Sequence, residues 1–154
     1  MMQYWSMKIA TLLLGICLLA LAGRSSGQDF KKEFVDPMPQ ESRSAAVKVK
    51  GGTMLFLAGH TASLPQVNAE LGNFDAQFKR VFDKIKTTLS QGGATFDDIV
   101  TMSVFLTDLR YIPEFNKLSK EIFKKNFPAI TFVEVSHLAR PQLIMEIQPI
   151  AVIP

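Results

Sequence analysis

The stretch Phe127–Val152 reads FPAITFVEVSHLARPQLIMEIQPIAV. Two apolar runs, about Thr131–Leu138 and Leu143–Val152, flank a turn that holds Pro141, which is the pattern of two terminal strands. A carboxylate, Glu146, interrupts the second run (LIMEI). A carboxylate in an apolar strand is costly to bury unless it has a partner or a task, so Glu146 is the first candidate site residue.

Working back from there, the remaining elements fall out of periodicity. Ala46–Lys50 (AVKVK) alternates apolar and charged residues, and Thr53–Ala58 (TMLFLA) is almost wholly apolar. With Gly51–Gly52 between them, the two predict a hairpin. Ala62–Gly72 reads as a loop. Phe74, Phe78, Val81, Phe82, Ile85 and Leu89 lie on one face of a helix from about Phe74 to Ser90, with Asn73 as N-cap and Gly92–Gly93 as stop. Asp97–Asp98 lead into a strand, Ile99–Leu106. A second helix starts near Pro113, buries Phe115, Leu118, Ile122 and Phe123, and ends before Asn126–Pro128. The order ββαβαββ predicts an α+β domain, residues 44–154, with both helices on one face of a sheet. MLFLA, VFL and LIMEI are too apolar at both parities for a face left in water, so a homo-oligomer is expected.

Residues 28–43 contain Pro37 and Pro39 and read as an extended lead-in. Ahead of it, residues 1–27 have the shape of a secretory signal: Lys8, the apolar run Ile9–Ala22, then GRSSGQ. The run of about 14 residues is short of the roughly 20 that span a bilayer. Cleavage is expected either after Ala22 or before Gln28, which predicts a periplasmic or secreted protein without stable membrane association. Lys8 and Arg24 lie in that segment, so the chain's 17 cations become 15 against 14 acids, and its formal charge falls from +3 to +1. A nearly neutral domain argues against nucleic acid as a partner. Cys17, the one cysteine, is also in the signal, which leaves no disulfide, thiol nucleophile or thiolate ligand downstream.

The residues resemble the RidA/YjgF family of small proteins from about Val47 to Val152. The carriers are LFLAG (Leu55–Gly59), FDAQFKRVFDKIKTTLSQGGATFDDIVTMSVFLTDL (Phe74–Leu109), EFNKL (Glu114–Leu118), FPA (Phe127–Ala129), VEV (Val133–Val135) and MEIQPIAV (Met145–Val152). The resemblance implies a chorismate-mutase-like α+β fold, a homotrimer with its sheets packed inside, and small-molecule clefts between subunits. It also implies cofactor-free hydrolysis of enamines and imines such as 2-aminoacrylate (2-iminobutanoate/2-iminopropanoate deaminase chemistry). In that chemistry an arginine grips the substrate carboxylate with two bonds and a glutamate positions water or moves protons.

Several positions depart from that pattern. The family arginine follows Pro-Ala, and Ile130 stands there. Phe132 occupies a place often held by Cys or Thr, Ala58 one often held by Ser, Ala45 lies near a frequent tyrosine, and Gln148 stands where a second acid is frequent. Gly59 is retained, His60 replaces a frequent Gln, and Glu146 matches the family glutamate. Loss of a bidentate arginine removes two charge-assisted bonds of about 1.5–3 kcal/mol each, so 2-aminoacrylate turnover is expected to be slow or absent.

The candidate site is therefore Glu146 as the catalytic group, with Gly59, His60, Ile130 and Phe132 contacting substrate. Arg140, in the last turn, and Arg43 are the candidate replacement cations, and His137 is a weaker candidate. Glu146 and the two histidines have no metal-ligand spacing, so no metal is expected, and the resemblance implies no other cofactor. Two other readings stand beside the deaminase: a non-catalytic small-molecule binding protein of the same fold, favoured by the greasier cleft, and, more remotely, an endoribonuclease or translation inhibitor.

Overall fold

The computed structural model describes residues 29–64 and 71–154, and the expected signal segment lies outside them. Seven strands form one mixed sheet: β1 (Lys31–Met38), β2 (Arg43–Lys50), β3 (Thr53–Phe56), β4 (His60–Thr61), β5 (Ile99–Leu106), β6 (Ala129–Glu134) and β7 (Met145–Ile153). Their order is β1-β2-β6-β5-β7-β3, with β4 also paired to β7. Both pairings of β6, with β2 and with β5, are parallel, and the others are antiparallel.

Two helices cover one face, α1 (Phe74–Gln91) and α2 (Ile112–Ile122). The Asn73 side chain caps α1 by accepting from Ala76 N at 3.1 Å, and Gly93, at φ 73°, lies just past its end. Phe74, Phe78, Val81, Phe82, Ile85 and Leu89 are all buried, as their spacing required. Pro113 occupies the first turn of α2, where its missing N–H has no intrahelical partner to lose. Aromatic rings join the helices to each other and to the sheet: Phe78 packs on Phe82 within α1 at 4.4 Å between centroids, and Phe115 of α2 meets Phe78 edge-on at 5.4 Å. Phe115 also meets Phe132 of β6, at 5.2 Å and 86°. This α+β sheet under two helices is the architecture the sequence predicted.

The lead-in at 28–43 is extended, and most of it is ordered as β1, which pairs with β2 through seven residue pairs. Pro37 is tolerated there because it sits on an edge strand, where no ladder hydrogen bond is demanded of it. One expectation fails: the predicted hairpin of Ala46–Lys50 with Thr53–Ala58 does not form. Gly51 and Gly52 do turn the chain, at φ 70° and 86°, but β2 is paired with β1, and β3 crosses to β7 at the other edge. The β1–β2 ribbon is tied to the start of β5 by Lys32, whose Nζ donates to Asp97 O at 2.7 Å and Asp98 Oδ1 at 2.9 Å.

The sheet has two unlike faces. Met102, Val104 and Leu106 of β5 and Met145, Ile147 and Ala151 of β7 are fully buried under the helices. Their alternates, Thr101, Ser103 and Phe105 with Glu146, Gln148 and Ile150, point the other way and are partly or fully exposed. Met54 and Phe56 of β3 extend that open face and are 55% and 68% exposed.

Candidate functional site

Glu146 stands on the open face. It pairs with Phe105 on one side and Thr61 on the other, and Ser103 lies opposite Gln148 two residues along. Its side chain is half-buried and forms no ion pair among the described residues. What holds it is the absence of a neighbour's side chain. A Cβ built on Gly59 would overlap Glu146 Oε1 and lie 2.8 Å from its Cδ. Gly59 is thus the seat of the carboxylate, and its value is space, not a special backbone angle.

The remaining sequence candidates are not gathered around Glu146. His60 neighbours Gly59 in the chain but alternates to the opposite face. It pairs with the buried Ile147, and its ring bonds Ala58 O at 2.7 Å and Thr88 Oγ1 of α1 at 3.0 Å. Ile130 and Phe132 lie opposite Met102 and Val104 in the ladder, so both point into the helix-side layer. Ile130 is buried there, and Phe132 packs on Phe115. The arginine position therefore holds a core residue, with no guanidinium directed at the open face.

The candidate replacement cations are occupied elsewhere. Arg43 is bound to Glu41, Nε to Oε2 at 2.8 Å, and Arg140 donates from Nη1 to Leu64 O at 3.1 Å. His137 lies on the surface against Ser136 Oγ at 3.0 Å. Glu134 accepts from Leu109 N at 3.1 Å and so stabilises a turn. Among the described residues no three His, Cys, Asp or Glu side chains converge as a metal site would need.

Sequence reading missed Gln77. It is buried inside the apolar stripe of α1, where its amide donates to Gln142 O at 2.8 Å and Gly72 O at 3.3 Å and accepts from Ile144 N at 3.0 Å. It staples α1 to the segment leading into β7 and so sets where Glu146 enters. A polar residue on an otherwise apolar helical stripe was the available signal. Arg80 and Lys84, four apart on the same helix, were missed as well; they reach the end of β4 and the loop after it.

A mixed sheet with two helices on one face, and a half-buried carboxylate seated against a glycine on the other, defines the class as a small α+β domain of Rid type. The sequence comparisons agree. The family model described as Endoribonuclease L-PSP matches residues 35–153, and the chain belongs to this family, also known as YjgF/RidA. A RutC family protein of Pyrococcus abyssi is 36% identical over 116 residues, 75% of this chain and 89% of that protein. A protein of Dermatophagoides farinae named 2-iminobutanoate/2-iminopropanoate deaminase is 29% identical over 118 residues, 76% of this chain and 90% of its own. Among solved structures, the Rid-family protein YyfB of Yersinia pestis superposes with a TM-score of 0.68 at 23% identity, covering 79% of this chain and 98% of its own, a likeness of fold alone. Yeast Mmf1 does so with a TM-score of 0.60 at 25% identity, covering 80% and 100%.

Proposed function

We propose that this protein is an exported, homotrimeric RidA-like protein that binds small metabolites in clefts between subunits, on the open sheet face around Glu146 and Gly59. Imine or enamine hydrolysis of the deaminase type occurs there, with Glu146 orienting water, and it favours uncharged or bulky substrates over 2-imino acids. One observation carries this reading: Glu146 is a half-buried carboxylate without a cationic partner among the described residues, seated against a glycine whose missing side chain makes room for it. An apolar face with Phe56 68% and Met54 55% exposed supports association, because exposed apolar surface of this kind is normally covered by a partner. The deaminase named among the relatives supports the reaction class. Ile130, buried under the helices, supports the weakened grip on substrate anions.

The test is keto-acid or carbonyl release from a panel of imines generated in situ by an amino-acid or amine oxidase. Wild type accelerates release from at least one neutral imine, and Glu146→Ala does not. If no imine in the panel is hydrolysed faster with the wild-type protein, the catalytic reading fails.

The missing guanidinium also favours a second reading, a binding protein without turnover. It predicts ligand-dependent rises in melting temperature with no product formed. Cleavage of RNA by wild type that vanishes in Glu146→Ala would instead favour the nuclease activity that the family's description names.

A further inference from the structure

We propose that Arg80, Lys84 and Arg140 form a second binding site, for a small oxyanion (a carboxylate or phosphate group on a metabolite), on the opposite side of β4 from Glu146. The three cations converge on one short loop. Lys84 Nζ donates to Thr61 O at 3.0 Å and Ser63 O at 2.6 Å. Arg80 Nη1 reaches Leu71 O at 3.3 Å and Ala62 O at 3.5 Å, and Arg140 Nη1 reaches Leu64 O at 3.1 Å. All three are half-buried, and none forms an ion pair among the described residues.

Holding loop carbonyls requires hydrogen-bond donors, not charge. One turn earlier on the same helix, Gln77 holds the carbonyls of Gly72 and Gln142 with a neutral amide. Three like charges around one loop repel each other where a neutral side chain would do the same work. Burial, and then the nearby charges of Arg80 and Arg140, hold the Lys84 amine below the ordinary lysine value. An anion reverses that repulsion. Each guanidinium has five N–H groups, and the carbonyls use only part of them, so a planar oxyanion meets a fork from either arginine and a point charge from the lysine.

Space lies alongside. A groove of about 420 Å³ is lined by Arg80 and Lys84 together with His60, Thr87, Thr88 and Asp83. The Thr87 hydroxyl donates to Asp83 O at 2.9 Å and Thr88 Oγ1 bonds His60 at 3.0 Å, so the donors for an anion come from the cations, and Asp83 is the one acid on this wall. The site is independent of the proposed imine chemistry, because Thr61 and His60 present opposite sides of the same short strand.

The experiment is calorimetric titration of the full chain with inorganic phosphate and, separately, with succinate, with melting temperature followed in parallel. Saturable binding of one oxyanion per chain, with a rise in melting temperature, is expected in wild type and equally in Glu146→Ala. Arg80→Gln and Arg140→Gln each weaken it about tenfold, the scale of one charge-assisted bond, whereas Lys124→Gln leaves it unchanged. Both arginine variants remove the charge and leave an amide on a shorter side chain, and the melting temperature of the free variants reports whether the loop is still held; they are preferred to Lys84→Met, which removes two carbonyl contacts at once. No saturable binding of either anion overturns the proposal, as does equal binding by an Arg80→Gln/Arg140→Gln double variant.

Discussion

The two faces of the sheet are built by the same strands, residue by alternate residue, and they obey different rules. On the helix side, Met102, Val104, Ile130, Phe132, Met145 and Ile147 pack under a cluster of phenylalanines, and a buried polar group such as Gln77 is tied up in hydrogen bonds to backbone. On the open side, Phe56, Met54 and Phe105 share the surface with Ser103, Gln148 and Glu146. One face is a finished core whose chemistry is fixed by packing. The other is an apolar surface around a carboxylate, and it makes sense as a place where something else docks. Strand parity alone decides which residue serves which purpose.

The sharpest way to break this comparison is Ile130→Arg. If residue 130 belongs to the core, a guanidinium there is an unpaired buried charge and lowers unfolding free energy by about 3–5 kcal/mol, with no gain in imine turnover. Denaturant melts and the imine assay read both outcomes. A stable variant with new activity on 2-imino acids would show that this position reaches the open face. Phe115→Ala tests the same layer by subtraction. Its ring touches Phe78, Phe82 and Phe132 and is fully buried, so a loss of about 3–5 kcal/mol is expected in the same melts.

The open face responds differently. Phe56→Glu should change the stability of the single chain by no more than about 0.5 kcal/mol, the usual range for a surface position, but should reduce the mass measured by light scattering to that of one chain. An unchanged oligomer would separate the exposed apolar face from assembly. Gly59→Ala is subtler still. The added methyl collides with the Glu146 carboxylate, so turnover should fall to the level of Glu146→Ala while the melting temperature changes little. If turnover survives, the carboxylate is not working from the position seen here.

The smallest effect lies away from both faces, where Lys32 ties the β1–β2 ribbon to β5. Burial pushes the Asp98 carboxyl up, but hydrogen bonds from the Lys32 ammonium and from the Thr95 N–H and hydroxyl outweigh it and hold the group below the usual carboxylate range. The folded state therefore favours the ionised form. Its contribution is complete above the ordinary carboxylate range and is lost as pH falls through the lowered value. Asp98→Asn should cost no more than about 1 kcal/mol at neutral pH, as solvent-accessible pairs do, and should flatten this part of the acid limb of a stability–pH curve.

Much of the fold was legible. The α1 stripe, the α2 start at Pro113, the apolar run of β5 and the excess of apolar residues on a second face all follow from periodicity, which local backbone geometry enforces. The strand at Lys31–Met38 was not, because edge strands tolerate the prolines and charges that otherwise signal a loop. The β2–β3 hairpin was misread because a glycine pair fixes a turn but not the partner of each strand. In the site, Glu146 and Gly59 were found together. His60, adjacent in sequence, was lost to the opposite side by parity, and Ile130 and Phe132 went to the core.

The sequence by itself determined both helices and the main inner strands, that a carboxylate interrupts the last strand, and that position 130 carries no charge. These depend on residue type and spacing, which are local. Only the tertiary structure decided that Glu146 rests against Gly59, that Ile130 faces the helices, and that Arg80, Lys84 and Arg140 meet around one loop. Those facts depend on strand pairing and register, which join residues far apart in the chain and which a one-residue slip would reverse.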